Sequence, residues 1–171
     1  MTDIPQFDRH DAYSSEESEY VLETTKFDSR VTAVEPDSGS DSGTVRYTLT
    51  VRAPTLDSAV EEDVGPNLLD GWFETFERRL EDAPTAVRGS VELDDHSVYS
   101  DDDEAVVTLS FQFGSENANR APDVAKAIAE YVEGTYVEGV VPGYTYQPPV
   151  SEMLDHARQG DNEDKGGPMP L

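Results

Sequence analysis

The chain has 171 residues, room for one domain with its own core and too few for two of ordinary size. Asp and Glu number 37 against 12 Lys and Arg, a formal net charge of −25. That balance excludes non-specific nucleic-acid binding, which relies on clustered cations neutralising phosphates, and it excludes attraction to anionic membranes.

In dilute buffer a surface this acidic repels itself; in molar salt the Debye length shrinks to about 3 Å and the repulsion is screened. The composition therefore predicts a salt-rich cytoplasm. Lysine is scarce, at Lys26, Lys126 and Lys165 only. No cysteine is present, which removes disulfides, thiolate metal sites and a cysteine nucleophile. Met1 to Arg9 has no apolar core of a signal peptide, and no stretch approaches the roughly 20 apolar residues that span a bilayer. A cytoplasmic protein is expected.

In chain order, residues 1–18 read as an acidic, flexible arm ending in Ser14-Ser15-Glu16-Glu17-Ser18. Tyr20 to Thr25 and Arg30 to Val34 read as strands, followed by a Pro/Asp/Ser/Gly turn from Glu35 to Gly43. Thr44 to Ala53 is the clearest strand: Val45, Tyr47, Leu49 and Val51 point one way, and Arg46, Thr48, Thr50 and Arg52 the other. After an acidic loop, Pro66 opens a helix whose stripe is Leu69, Trp72, Phe73, Phe76 and Leu80, and Pro84 ends it. The order then recurs. Val87 to Leu93 reads as a strand, Asp94 to Glu104 as an acidic connection, and Ala105 to Phe113 as a strand. Pro122 opens a second helix with Val124, Ala125, Ile128, Ala129 and Val132 on its stripe and Gly134 placed to close it. A single domain over 19–147 is expected, then a short docked helix over 148–159 and a disordered tail over 160–171.

Two amphipathic helices on one face of an antiparallel sheet of four to five strands make an α+β two-layer sandwich. With five strands the order βββαββα resembles the fold of type III secretion chaperones; with four, a ββα unit used twice is enough. Thr48-Leu49-Thr50 and Thr108-Leu109-Ser110 hold matching places about 60 residues apart.

Three surfaces are candidates for function. On the outer sheet face, alternation gathers Arg30, Arg46, Arg52 and Arg88 among Thr and Ser hydroxyls, suited to an anion, an acidic partner segment or a second copy of the chain. The plainer reading is that threonine favours strands and wet strand positions need polar residues. The segment Gly134 to Tyr146 holds three glycines, a proline and Tyr136, Tyr144 and Tyr146; it reads as a tight aromatic turn, with the tyrosines packed beside Trp72 or offered to a partner. The acidic runs Glu61-Glu62-Asp63 and Asp101-Asp102-Asp103-Glu104 lack the alternating ligand spacing of a calcium loop and read as hydration. His10, His96 and His156 are scattered, and no nucleophile–base motif, metal site or cofactor cradle is visible.

The runs Tyr20–Thr32, Asp70–Glu77 and Glu133–Tyr144, the last with Gly139-Val140-Val141-Pro142-Gly143-Tyr144, together resemble an uncharacterised protein family of halophilic archaea, a domain of unknown function. The family has no assigned activity, so the resemblance implies a salt-rich cytoplasm and no catalytic residue. The residues point to a non-enzymatic interaction module, self-associating or bound to another protein. The alternative is a small ligand-binding or catalytic domain with a pocket between the sheet and the Gly134–Tyr146 turn.

Overall fold

The computed structural model describes residues 7, 10–17, 19–34, 44–81, 93–101, 104–114 and 118–156. They form one antiparallel sheet of six strands: β1 (Tyr13–Glu16), β2 (Glu19–Leu22), β3 (Asp28–Val34), β4 (Thr44–Pro54), β5 (Leu93–Asp101) and β6 (Glu104–Gly114). The strand order is β1-β2-β3-β4-β6-β5. The helices are α1 (Leu56–Ala59), α2 (Pro66–Leu80), α3 (Ala121–Glu138) and α4, over residues 150–156, with a 3-10 turn at Ala118–Arg120 before α3.

The centre of the sheet is the long pairing of β4 with β6, eleven residues on each strand. Its inner positions, Tyr47, Leu49, Val51 and Ala53 opposite Phe111, Leu109, Val107 and Ala105, are all buried. The matched segments of the sequence meet here. Leu49 faces Leu109, with Thr48 opposite Ser110 and Thr50 opposite Thr108. The order β3-β4-β6-β5 is that of two ββα units joined along β4 and β6, which accounts for the shared pattern by position in the fold.

The inner face shares a single core with the helices. Along α2, Trp72, Phe76 and Leu80 recur at four-residue spacing and are buried, worth about 1.5–3 kcal/mol each. Pro66 stands in the first turn, where the absent N–H leaves nothing unpaired, and Arg78 and Arg79 occupy the last turn, where the helix dipole favours cations.

Four expectations are corrected. The sheet has six strands, not four or five. The added strand is β1, inside the segment read as a loose arm; in the same segment Phe7 is 0% exposed, stacked on Tyr20 at 5.0 Å and edge-on to Tyr13 at 4.9 Å. The fifth strand lies at Leu93–Asp101, in the stretch read as an acidic connection. It is an edge strand, where one side of the ladder meets solvent and acids are tolerated, and a bulge between Leu93 and Asp95 offsets its register. Helix α3 runs through Gly134 to Glu138 and closes at Gly139, whose N–H donates to the Thr135 and Tyr136 carbonyls. Glycine costs a helix about 1 kcal/mol, less than the burial of Tyr136 one half-turn further on returns. The strand expected at Val87–Leu93, except for Leu93 itself, the turn at 35–43 and the tail over 160–171 lie outside the described residues.

Candidate functional site

The outer face of the sheet carries the expected arginines. Val21 pairs with Arg30, Arg30 with Thr50 and Thr50 with Thr108, so these side chains share one face; Arg46, Thr48 and Arg52 join it along β4. Arg88 lies outside the described residues. Two of the three arginines are held by carboxylates of the same sheet. Arg30 reaches Glu19 and Asp28 at 3.0 Å each and Glu16 at 3.9 Å, contacts that raise its pKa further. Arg52 lies 3.8 Å from both Asp101 and Glu104. Arg46 is exposed and makes no ion pair among the described residues. Between these charges, Thr48 and Ser110 hydroxyls meet at 3.2 Å. Val106 faces outward between Arg52 and Tyr99, outside the main core, yet is 0% exposed, while Tyr99 is 48% exposed.

On the described side chains of β3, β4 and β6, this face sets Arg30, Arg46 and Arg52 against Asp28 and Glu104. The chain as a whole sets 12 bases against 37 acids. With Asp101 of β5 added, the described charges of this face balance, three arginines against three acids, where the rest of the molecule is strongly acidic.

The Gly134–Tyr146 segment divides into two parts. Residues up to Glu138 belong to α3, and Tyr136 is 1% exposed, edge-on to Phe27, Trp72 and Phe76 at 5.0, 5.5 and 5.7 Å. Its hydroxyl donates to the Pro54 carbonyl at 2.7 Å, and burial pushes its pKa well above the usual phenol range, so it remains a donor. The rest is a clasp on the end of α1. Val60 bridges to Tyr146, Gln147 N–H donates to Ala59 O at 2.8 Å, and Glu61 N–H donates to Thr145 O at 2.9 Å. Glu62 accepts the Thr145 N–H, and hydrogen bonds from Thr145 hold its carboxyl below the usual range. Tyr146 accepts from Val141 N–H and donates to Val141 O, and only Gly143 uses the glycine-favoured half of conformational space, at φ +93°. Tyr144 and Tyr146 are half-buried. The tyrosines pack, and Tyr136 is almost wholly buried.

Two cavities flank α3. One, of about 720 Å³, opens between α3, the β2–β3 loop and α4, and is lined by Lys26, Glu130, Glu133, Glu152, Asp155 and His156 among others. Glu133 is half-buried there and accepts the N–H groups of Lys26 at 2.6 Å and Phe27 at 2.8 Å on one oxygen. Desolvation raises its pKa in spite of those bonds. The neutral carboxyl is therefore the form the fold prefers; the stabilisation is complete below the ordinary unfolded value and is lost as pH rises through the higher folded one. Glu133→Gln keeps the acceptor and removes the buried charge, so its melting temperature at pH 7 should equal or exceed wild type. Glu133→Ala should lose about 1–3 kcal/mol, chiefly by leaving the partly buried Phe27 amide without its acceptor. A Gln variant as unstable as the Ala variant would show that the charge itself is required.

The second cavity, of about 450 Å³, lies between α2 and the first part of the Gly134–Tyr146 segment. Its walls are Leu68, Trp72, Phe76, Tyr136, Val140 and Val141, with Arg79 and Glu138 among the polar lining.

Compared with known families, residues 8–156 match the family of unknown function DUF5813. The chain belongs to that family. The DUF5813 match ends with α4 and takes in every described strand. No curated protein and no solved structure matches the chain. Among the described residues of this DUF5813 chain, no helix is long and apolar enough to cross a membrane.

Proposed function

We propose that the chain is a non-enzymatic interaction module of a salt-rich cytoplasm, and that a second copy of the chain docks on the open face of its sheet. The balanced charge on the face of β3, β4, β6 and β5, in so acidic a chain, carries this reading. A surface kept wet in strong salt is covered with acid, whereas the core of an interface is depleted of charge. Here acid gives way to hydroxyls, a valine and arginines whose charge is mostly met within the face. Strands about 4.8 Å apart, rising about 3.3 Å per residue, give β3, β4, β6 and β5 a flat face of roughly 600 Å². A standard interface needs about 800 Å² per partner, within reach of that face and its rim. The rest of the chain is rich in acids that hold water, which leaves this balanced face as the favoured place for self-association. The half-buried Glu133 and the tyrosines Tyr136 and Tyr146 hold backbone groups of the fold, which favours binding over catalysis.

Light scattering after size exclusion in about 2 M KCl tests it. Wild type should run as a dimer. Thr48→Glu with Thr108→Glu places acid at the centre of the face and should weaken the dimer at least about tenfold, with an unchanged far-ultraviolet circular dichroism spectrum. A wild type that stays monomeric at about 100 µM overturns self-association. A different protein retained by wild type and released by the double variant would reassign the occupant.

A further inference from the structure

The cavity between α2 and α3 combines features unlike those of the sheet face, and its chemistry is specific enough to name a ligand class. Its interior is apolar and aromatic. Trp72 stacks on Phe76 at 5.5 Å, Tyr136 stands edge-on to Trp72, and Leu68, 39% exposed, joins the lining. Leu68 and Tyr99 are the large hydrophobic side chains most open to solvent among the described residues. A volume of about 450 Å³ falls in the range of small-ligand sites, roughly 300–1,000 Å³.

The polar groups decide which small ligand. Arg79 stands in the last turn of α2 and Glu138 ends α3, and both line the cavity. The guanidinium lies beside the α3 terminus, its Nη1 3.7 Å from where a β-carbon on Gly139 would sit. The Arg79 carbonyl accepts the Tyr131 hydroxyl at 3.1 Å, which fixes this turn of α2 against α3. Yet Arg79 and Glu138 do not pair with each other, and neither makes an ion pair with any other described residue. One cation and one anion, neither ion-paired among the described residues, thus line an apolar chamber. A purely anionic ligand would meet Glu138, and a purely cationic one would meet Arg79. A zwitterion with an apolar tail satisfies both, its carboxylate on Arg79, its ammonium on Glu138 and its side chain among Trp72, Phe76 and Tyr136.

We propose that the α2–α3 cavity is a binding site for a free apolar α-amino acid, read by Arg79 and Glu138 at its mouth and by the Trp72–Phe76–Tyr136 floor.

Trp72 is the only tryptophan, so its emission reports on the cavity directly. L-leucine, L-valine and L-phenylalanine are titrated against the full chain in about 2 M KCl, followed by Trp72 fluorescence and by calorimetry. Leucine is compared with 4-methylpentanoate, which lacks the ammonium, and with 3-methylbutylamine, which lacks the carboxylate. Saturable binding of at least one amino acid is expected, with each fragment of leucine at least about tenfold weaker than leucine. Arg79→Gln should cut leucine affinity and remove the preference over the amine; Glu138→Gln should cut it and remove the preference over the acid. Both are surface substitutions, and an unchanged near-ultraviolet spectrum certifies the fold. No saturable signal from any of the three amino acids up to about 10 mM overturns the site. Equal binding of leucine and its two fragments overturns the role of the charges and with it the ligand class.

Discussion

Tyr136→Ala is expected to destabilise the chain by about 3–5 kcal/mol, the range for deleting a large buried ring. At about 2–4 °C per kcal/mol for a chain of this size, the melting temperature should fall by roughly 6–20 °C. The magnitude follows from position. Tyr136 belongs to the last full turn of α3 and is edge-on to rings from α2 and from the β2–β3 loop, so its loss opens a void shared by three elements. Tyr136→Phe isolates the hydroxyl. It keeps the ring and leaves the Pro54 carbonyl at the end of β4 without its 2.7 Å donor, at a cost of about 1–3 kcal/mol. Trp72 emission should shift in the Ala variant and hold nearly still in the Phe variant. A Tyr136→Ala protein that melts within about 2 °C of wild type would mean that the rings do not share a core.

Much of this was legible beforehand, for identifiable reasons. Strict alternation in Thr44–Pro54 and Glu104–Gly114 gives both the strands and the face on which Arg30, Arg46 and Arg52 sit. Four-residue spacing of Trp72, Phe76 and Leu80 gives α2 and its buried side. What escaped depends on partners distant in sequence. Phe7 is one aromatic in a polar run, and nothing local says that Tyr13, Tyr20 and Tyr47 will enclose it. The β5 strand is Asp- and Ser-rich because it lies at an edge, so its pattern imitates a loop. Gly134 looks like a helix end until Tyr136 is known to be buried against Phe27, 109 residues upstream.

The candidate sites follow the same logic. That arginines share a face was readable from period two; that Arg30 is met by Glu16 and Glu19, and Arg52 by Asp101, required the strand order. The α2–α3 cavity left no local trace. Arg79 and Glu138 are each ordinary last-turn charges of amphipathic helices, and only the packing of α2 on α3 brings them to one opening.

Withdrawing salt should lower the melting temperature by at least about 10 °C between about 2 M and about 0.1 M KCl at pH 7, over which the Debye length grows from a few ångströms to about 10 Å. Two electrostatic effects oppose each other over that interval. Dilution strengthens the attractive pairs at Arg30, Arg52, Lys26 and Lys126, but these pairs are solvent-exposed and worth about 0–1 kcal/mol each. The same dilution uncovers repulsion among 37 acids that face 12 bases in the whole chain. Exposed runs such as Glu61-Glu62-Asp63 then interact across a full Debye length with no cation between them. Repulsion prevails because it scales with every unpaired acid, while attraction is limited by the count of bases. Salt also strengthens apolar burial by exclusion from the protein surface, and pH separates the two contributions. Near pH 4, where exposed carboxyls reach their ordinary midpoint, the repulsive share shrinks and the salt dependence should fall by about half. The same slope at both pH values would assign the effect to exclusion alone, and a melting temperature level across the KCl range at pH 7 would remove the case for a salt-adapted surface.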